Sequence, residues 1–96
     1  MVDGIAFASK REATRYRDLR LLAGQGLIRD LKLQVPYNLM VNGLKVCQYR
    51  ADFTYEEYSH GIWTPVVEDS KGYRTAEYKL KRKLLQACFG ITIRET

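Results

Sequence analysis

Lys45 to Gly72 reads KVCQYRADFTYEEYSHGIWTPVVEDSKG, and the way this stretch pairs with itself decides the fold. From Lys45 to Tyr55 the residues alternate. Cys47, Tyr49, Ala51, Phe53 and Tyr55 fall on one side of an extended chain, and Gln48, Arg50, Asp52 and Thr54 on the other. Glu56 to Gly61 is polar and reads as a turn. A further strand then reaches Lys71, with Gly72 closing it. Pro65 has no N–H to give, so regular pairing is expected only from Val66. Two registers are open. A longer loop, from about Glu56 to Pro65, keeps Pro65 out of the ladder and sets Asp52 beside Asp69. A tight hairpin centred on Ser59 puts Asp52 opposite Pro65 and leaves Asp69 roughly 13 Å away along the strand. The residues favour the longer loop.

The flanks supply the remaining elements. Asn42-Gly43 is a strong two-residue hairpin signal. Before it, Leu31, Leu33 and Val35 alternate with Lys32 and Gln34, and Pro36 is expected to end the regular ladder, leaving a weaker extended stretch over Tyr37 to Val41. Ser9 and Glu12 form an S-x-x-E capping box that opens a helix from about Lys10 to Ala23. Its inward positions read Glu12, Tyr16, Leu19 and Ala23, and Gly24 and Gly26 stop it. Thr75 caps a second helix that runs to Phe89, with Leu80, Leu84, Ala87 and Cys88 as its apolar stripe and Gly90 as its end. Ile91 to Arg94 is a short last strand. A helix between two strands is a crossover, so the last two strands are expected to be parallel. The order is helix, three strands, helix, strand. The fold class is α/β, a single αβββαβ domain over residues 1–96 with a mixed central sheet flanked by two helices.

Composition limits what such a domain can be. Ninety-six residues exclude a barrel enzyme and a full doubly wound nucleotide fold. An apolar content of 46 % excludes a disordered basic tail. Cys47 and Cys88 make no disulfide framework, and no cysteine or histidine pair stands at zinc spacing. His60 stands alone in a polar turn. No apolar run approaches the ~20 residues of a membrane span. No charged-then-apolar leader opens the chain, so a cytoplasmic location and no membrane partner are expected. Sixteen Lys+Arg against eleven Asp+Glu give a net charge of +5, which points to an acidic partner.

Two acids at the mouth of the central strands carry the chemical reading. Asp69 and Lys71 alternate along one strand and project from one face. Charged residues at the end of a buried strand are costly unless paired or ligating. Two carboxylates ~4–5 Å apart suit a hard divalent cation, Mg²⁺ or Mn²⁺. Such an ion polarises a phosphoryl oxygen and lowers the pKa of its water, and a neighbouring lysine can stabilise the charge that develops on phosphate. This is the chemistry of phosphodiester hydrolysis.

Asp52 followed by Asp69-Ser70-Lys71 resembles the signature of the PD-(D/E)XK nuclease superfamily, and Glu12 matches its frequent helical acid. The wider text is similar to a small phage and prophage family within it, through Ser9 to Ala13, Gln34 to Pro36, Tyr49 to Phe53, Glu68 to Gly72, and Thr75-Tyr78-Lys81 or Lys79. Ala51 replaces the proline of the superfamily pattern. The resemblance implies a restriction-endonuclease-like core and a Mg²⁺- or Mn²⁺-dependent DNA endonuclease. Asp52 and Asp69 would hold the metal, Glu12 would complete or position its shell, and Lys71 would orient water. It also implies a bacterial host cytoplasm and branched or recombination intermediates as substrates, Holliday junctions among them. Gln34 is placed to hydrogen-bond near metal-bound water. Glu68, on the face opposite Asp69, is expected to be structural, in a salt bridge.

Basic residues concentrate on the helices, and Glu77 is the only acid between Gly72 and Arg94. Lys10, Arg11, Arg74, Lys79 and Lys83 are candidate contacts to the DNA backbone, salt-sensitive and without a sequence code. No base-reading element is visible. A homodimer is expected, since so small a chain must cut two strands, with Tyr58, Trp63 and Tyr73 as candidate surface or stacking residues. The rival reading keeps the fold and the basic face but makes the chain a non-catalytic nucleic-acid-binding or phage replication and recombination accessory protein.

Overall fold

Ser9 opens the first helix with its side chain, which accepts the Glu12 N–H at 3.1 Å. Helix α1 spans Lys10–Gly24 in the computed structural model, which describes residues 2–70 and 75–96. Strands β1 (Ile28–Val41), β2 (Leu44–Ser59) and β3 (Ile62–Asp69) follow, then α2 (Ala76–Phe89) and β4 (Ile93–Glu95). Thr75 caps α2 by accepting the Tyr78 N–H, and Gly90 ends it with a left-handed φ of 69°. The sheet order is β1-β2-β3-β4. β1, β2 and β3 are antiparallel neighbours, and β4 lies parallel to β3. The expected α/β class and αβββαβ order are therefore observed.

The central hairpin keeps the expected register of β2 on β3 but corrects the expected loop. β2 and β3 are joined by His60 and Gly61 alone, with Ser59 opposite Ile62. Their φ values of 50° and 79° repeat those of Asn42 (51°) and Gly43 (78°) in the first hairpin. Both are two-residue turns of the left-handed kind that suits strand twist. The long loop over Glu56 to Pro65 does not form, and Pro65 pairs with Glu56 inside the ladder. Proline is tolerated there because β4 pairs with β3 only from Val67 to Asp69, so no ladder needs its missing N–H on that side. Pro36 is likewise inside β1, opposite Arg50, on the edge strand of the sheet. Gly61→Ala is expected to cost about 1–2 kcal/mol in urea unfolding. A Cβ there would meet no atom within 4 Å, so the whole penalty is the left-handed backbone. An unchanged unfolding midpoint would show that the turn does not need glycine.

Two apolar clusters fill the sheet's two faces. Tyr16 and Leu19 of α1 pack with Ile28, Phe53, Tyr55 and Val66. Tyr78 and Leu85 of α2 pack with Leu39, Tyr49, Ala51, Val67 and Ile93. Val66 and Val67 are adjacent and point to opposite faces, so the helices cover opposite sides. β2 contributes to both clusters, Tyr49 and Ala51 to one and Phe53 and Tyr55 to the other. Uninterrupted alternation would have kept all four together. The change falls at Asp52, level with Gln34, whose φ of 54° is left-handed within β1. The stripe expected on α2 is also corrected, because Leu80 is 58 % exposed while Tyr78 and Leu85 face inward. Among the described residues no helix is long and apolar enough to cross a membrane.

Buried phenols make the fold sensitive to alkali. Burial, and hydrogen bonds to carboxylates, push the ionisation of Tyr49, Tyr55 and Tyr78 above the usual tyrosine range. A raised folded-state pKa stabilises fully below the unfolded pKa, about 10 for tyrosine, and is lost as pH rises through the folded value. Urea midpoints are therefore expected to hold to about pH 9 and fall above about pH 10. Phenolate absorbance from these three residues, read as the difference from a Tyr→Phe variant at each, should appear together with unfolding, and its appearance in the folded state would contradict this.

Candidate active site

Three polar side chains, Glu12 of α1, Gln34 of β1 and Asp52 of β2, meet where β1 takes a left-handed φ, and Asp69 stands at the end of the neighbouring β3. The two-residue turn sets the register of β2 on β3: the ladder ends with Phe53 opposite Glu68, and continuing it by one step would bring Asp52 level with Asp69. Asp52 is 7 % exposed, and its Oδ2 accepts the Ser70 N–H at 2.9 Å. Asp69 is fully buried, and its Oδ2 accepts the Tyr49 hydroxyl at 2.5 Å. These two bonds cross between the strands in opposite senses. Each acid on one strand is held by a donor on, or just beyond, the other.

Glu12 enters from α1. Its place in the capping box puts it in the first turn, and it is 6 % exposed. Gln34 Nε2 donates to Glu12 Oε1 at 2.8 Å and reaches Asp52 Oδ1 at 3.5 Å. The left-handed φ of Gln34 is a strained conformation for a residue with a side chain, and strain of this kind gathers at functional sites. Gln34 thereby joins the helical acid to the strand acid.

The acids open onto a cleft of about 640 Å³ lined by Glu12, Gln34, Tyr49, Arg50, Asp52, Ser70 and Lys81, with both helix caps, Ser9 and Thr75, on its wall. Helix N-termini carry unsatisfied N–H groups and favour anions. Arg50 and Lys81 add positive charge, although Lys81 also pairs with Glu77 at 3.1 Å. Asp69 does not line the cleft. Lys71 and Arg74, both expected near it, lie outside the described residues. Lys10, Arg11, Lys79 and Lys83 are exposed on the two helices, and Arg11 Nε donates to the Thr96 carbonyl at 3.1 Å.

Behind the acids lies a second network. Glu68 is fully buried and receives the Arg15 guanidinium through two bonds of 2.7 and 2.9 Å. The Tyr55 hydroxyl adds a third at 2.6 Å. This is the salt bridge expected of Glu68, and it raises the pKa of Arg15 further above its ordinary value. Since Arg15 is one turn from Glu12, the pair ties α1 to the strand that carries Asp69.

Among the described residues no three His, Cys, Asp or Glu side chains converge where they could hold a metal ion. The donor set nevertheless suits one class of ion. It is all oxygen, and Mg²⁺ keeps several waters while taking one or two carboxylates and phosphate oxygens. Asp52 and Asp69 are the carboxylates that would meet that requirement, with Glu12 bonded to Gln34. Arg50, Lys81 and Tyr49 were not singled out as site residues from the sequence. Arg50 had a signal, alternating with Asp52 on one side of β2. Tyr49 entered only as the first residue of the Tyr49 to Phe53 motif, because alternation set it on the side away from Asp52.

No curated protein and no solved structure matches the chain. A family model described as a protein of unknown function, DUF1064, matches residues 1–94, and the chain belongs to that family.

Proposed function

We propose that the chain is a metal-dependent DNA endonuclease of the PD-(D/E)XK type. The observation that carries the reading is the bond of Asp52 to the end of β3, where its Oδ2 accepts the N–H of Ser70 next to Asp69, beside a cleft walled by two helix N-termini. Asp52 and Asp69 would hold Mg²⁺ or Mn²⁺. A bound ion of this kind polarises a phosphoryl oxygen and makes hydroxide available near neutral pH. The chain's own residues do the rest. Gln34 and the Ser70 N–H orient Asp52. Glu12 anchors Gln34. The N-terminus of α2 and Arg50 attract the phosphate, and Lys71 would orient the attacking water and offset charge on the phosphorane. Lys10, Arg11, Arg74, Lys79 and Lys83 would contact the DNA backbone. With no base-reading element, selection would rest on strand structure, with branched recombination intermediates such as Holliday junctions as the favoured class. The proposed setting is a homodimer in the cytoplasm of a bacterial host.

One observation favours the second reading. Asp69 is fully buried and bonded to Tyr49 and does not line the cleft, as a non-catalytic nucleic-acid-binding accessory protein would allow. Incubation with plasmid, single-stranded and four-way DNA separates the two. The nuclease reading expects cleavage with Mg²⁺ or Mn²⁺ and none with EDTA. Salt-sensitive binding without cleavage in either metal would leave the accessory reading.

A further inference from the structure

We infer that Tyr49 is a positioning residue for the metal-holding carboxylate of Asp69. The inference rests on the nuclease reading and extends it to a residue that would act through the Asp69 carboxylate. Tyr49 stands on β2, the strand of Asp52, and its hydroxyl donates to Asp69 Oδ2 on β3 at 2.5 Å. Short O–H···O⁻ bonds of this kind are charge-assisted and about twice as strong as neutral ones. The phenol has little freedom. It is 3 % exposed, and the rings of Tyr37 and Tyr78 stand at 6.4 Å on either side. A rigid donor thus fixes the rotation of the Asp69 carboxylate.

The bond does more than fill a buried acceptor. Asp52 is held from the strand of Asp69 through the Ser70 N–H, and Asp69 is held from the strand of Asp52 through Tyr49. The two carboxylates are therefore referenced to each other, which is what sharing one ion requires. Groups that hydrogen-bond a ligand without touching the metal typically govern ~10–100-fold of metal affinity. Tyr55 supplies a matched comparison. It is equally buried, 3 % exposed, and its hydroxyl donates to the other buried acid of β3, Glu68, at 2.6 Å. It belongs to the cluster on the opposite face and does not line the cleft.

Calorimetric titration of the purified chain with Mn²⁺ tests the assignment without reference to cleavage. Tyr49→Phe is expected to weaken Mn²⁺ binding at least about tenfold. Tyr55→Phe should leave the affinity unchanged, while both variants lower the melting temperature to a similar extent. A purely structural Tyr49 would lower stability and leave affinity within twofold of wild type, and that result overturns the inference alone. Tighter binding by Tyr49→Phe also overturns it, since Tyr49 would then be withholding Asp69. Wild-type protein that binds no Mn²⁺, or whose binding is untouched by Asp52→Asn, overturns the metal reading and the inference with it.

Discussion

Asp52→Asn is expected to lower metal-dependent DNA cleavage by at least about 10²–10³-fold while leaving DNA binding within a fewfold of wild type. Asparagine keeps the shape and can still accept the Ser70 N–H that Asp52 Oδ2 now takes. What it loses is the negative charge that makes the site a cation ligand. The fold should tolerate the change, because the variant removes a largely buried carboxylate, keeps the 2.9 Å bond from the Ser70 N–H and gives up only the longer 3.5 Å bond from Gln34. Cleavage of plasmid and four-way DNA, compared with salt-dependent binding of the same DNA, gives both readouts. Wild-type cleavage rates in Asp52→Asn would remove Asp52 from the site. Parallel loss of binding and cleavage would instead indicate a misfolded or electrostatically altered surface.

The second large effect concerns the network behind the site. Arg15→Ala is expected to destabilise the chain by about 3 kcal/mol, because Glu68 keeps its charge and loses its counterion. Glu68 is fully buried and the Arg15 side chain is 25 % exposed, so water can replace the guanidinium only in part. For a domain of this size the loss corresponds to a melting shift on the order of 12 °C or more. Adding Glu68→Gln removes the stranded charge while keeping an acceptor for the Tyr55 hydroxyl, and should recover more than half of the loss. Urea unfolding of the two single variants and the double closes the cycle. A cost below about 0.5 kcal/mol for Arg15→Ala would place the pair among screened surface bridges.

What the sequence reveals here depends on whether a feature is set by near neighbours. Ser9, Thr75, Asn42-Gly43 and Gly90 act through their own backbone and hydroxyls, and each behaves as its residue type demands. The parallel β3–β4 pair follows from chain topology alone. The His60-Gly61 turn escapes because histidine is not a usual first residue of such turns, and Pro65 pulls the reading toward a longer loop. The phase of α2 escapes because its inward stripe uses Tyr78, an amphipathic residue, while Leu80 is left to solvent.

The site divides in the same way. Glu12, Gln34 and Asp52 are legible as polar residues at positions that should be apolar or fully solvated, and the structure joins all three. The register expected for β2 and β3 is reached, but through a two-residue turn in place of the longer loop. Tyr49 is not legible. Its bond to Asp69 depends on the bend of the sheet opposite Gln34, and a left-handed glutamine has no sequence signal. Glu68 is legible as structural because it alternates with Asp69, although its partner Arg15 lies 53 residues away.

The central claim is that Asp52 and Asp69 hold one divalent ion, and a crystal soaked in Mn²⁺ tests it most directly by anomalous scattering. The expected result is a peak at coordinating distance, roughly 2.1 Å, from a carboxylate oxygen of each residue, with the remaining positions open to water or phosphate. A peak bound by neither residue, or no peak in the cleft of a crystal that takes up Mn²⁺ elsewhere, would contradict it.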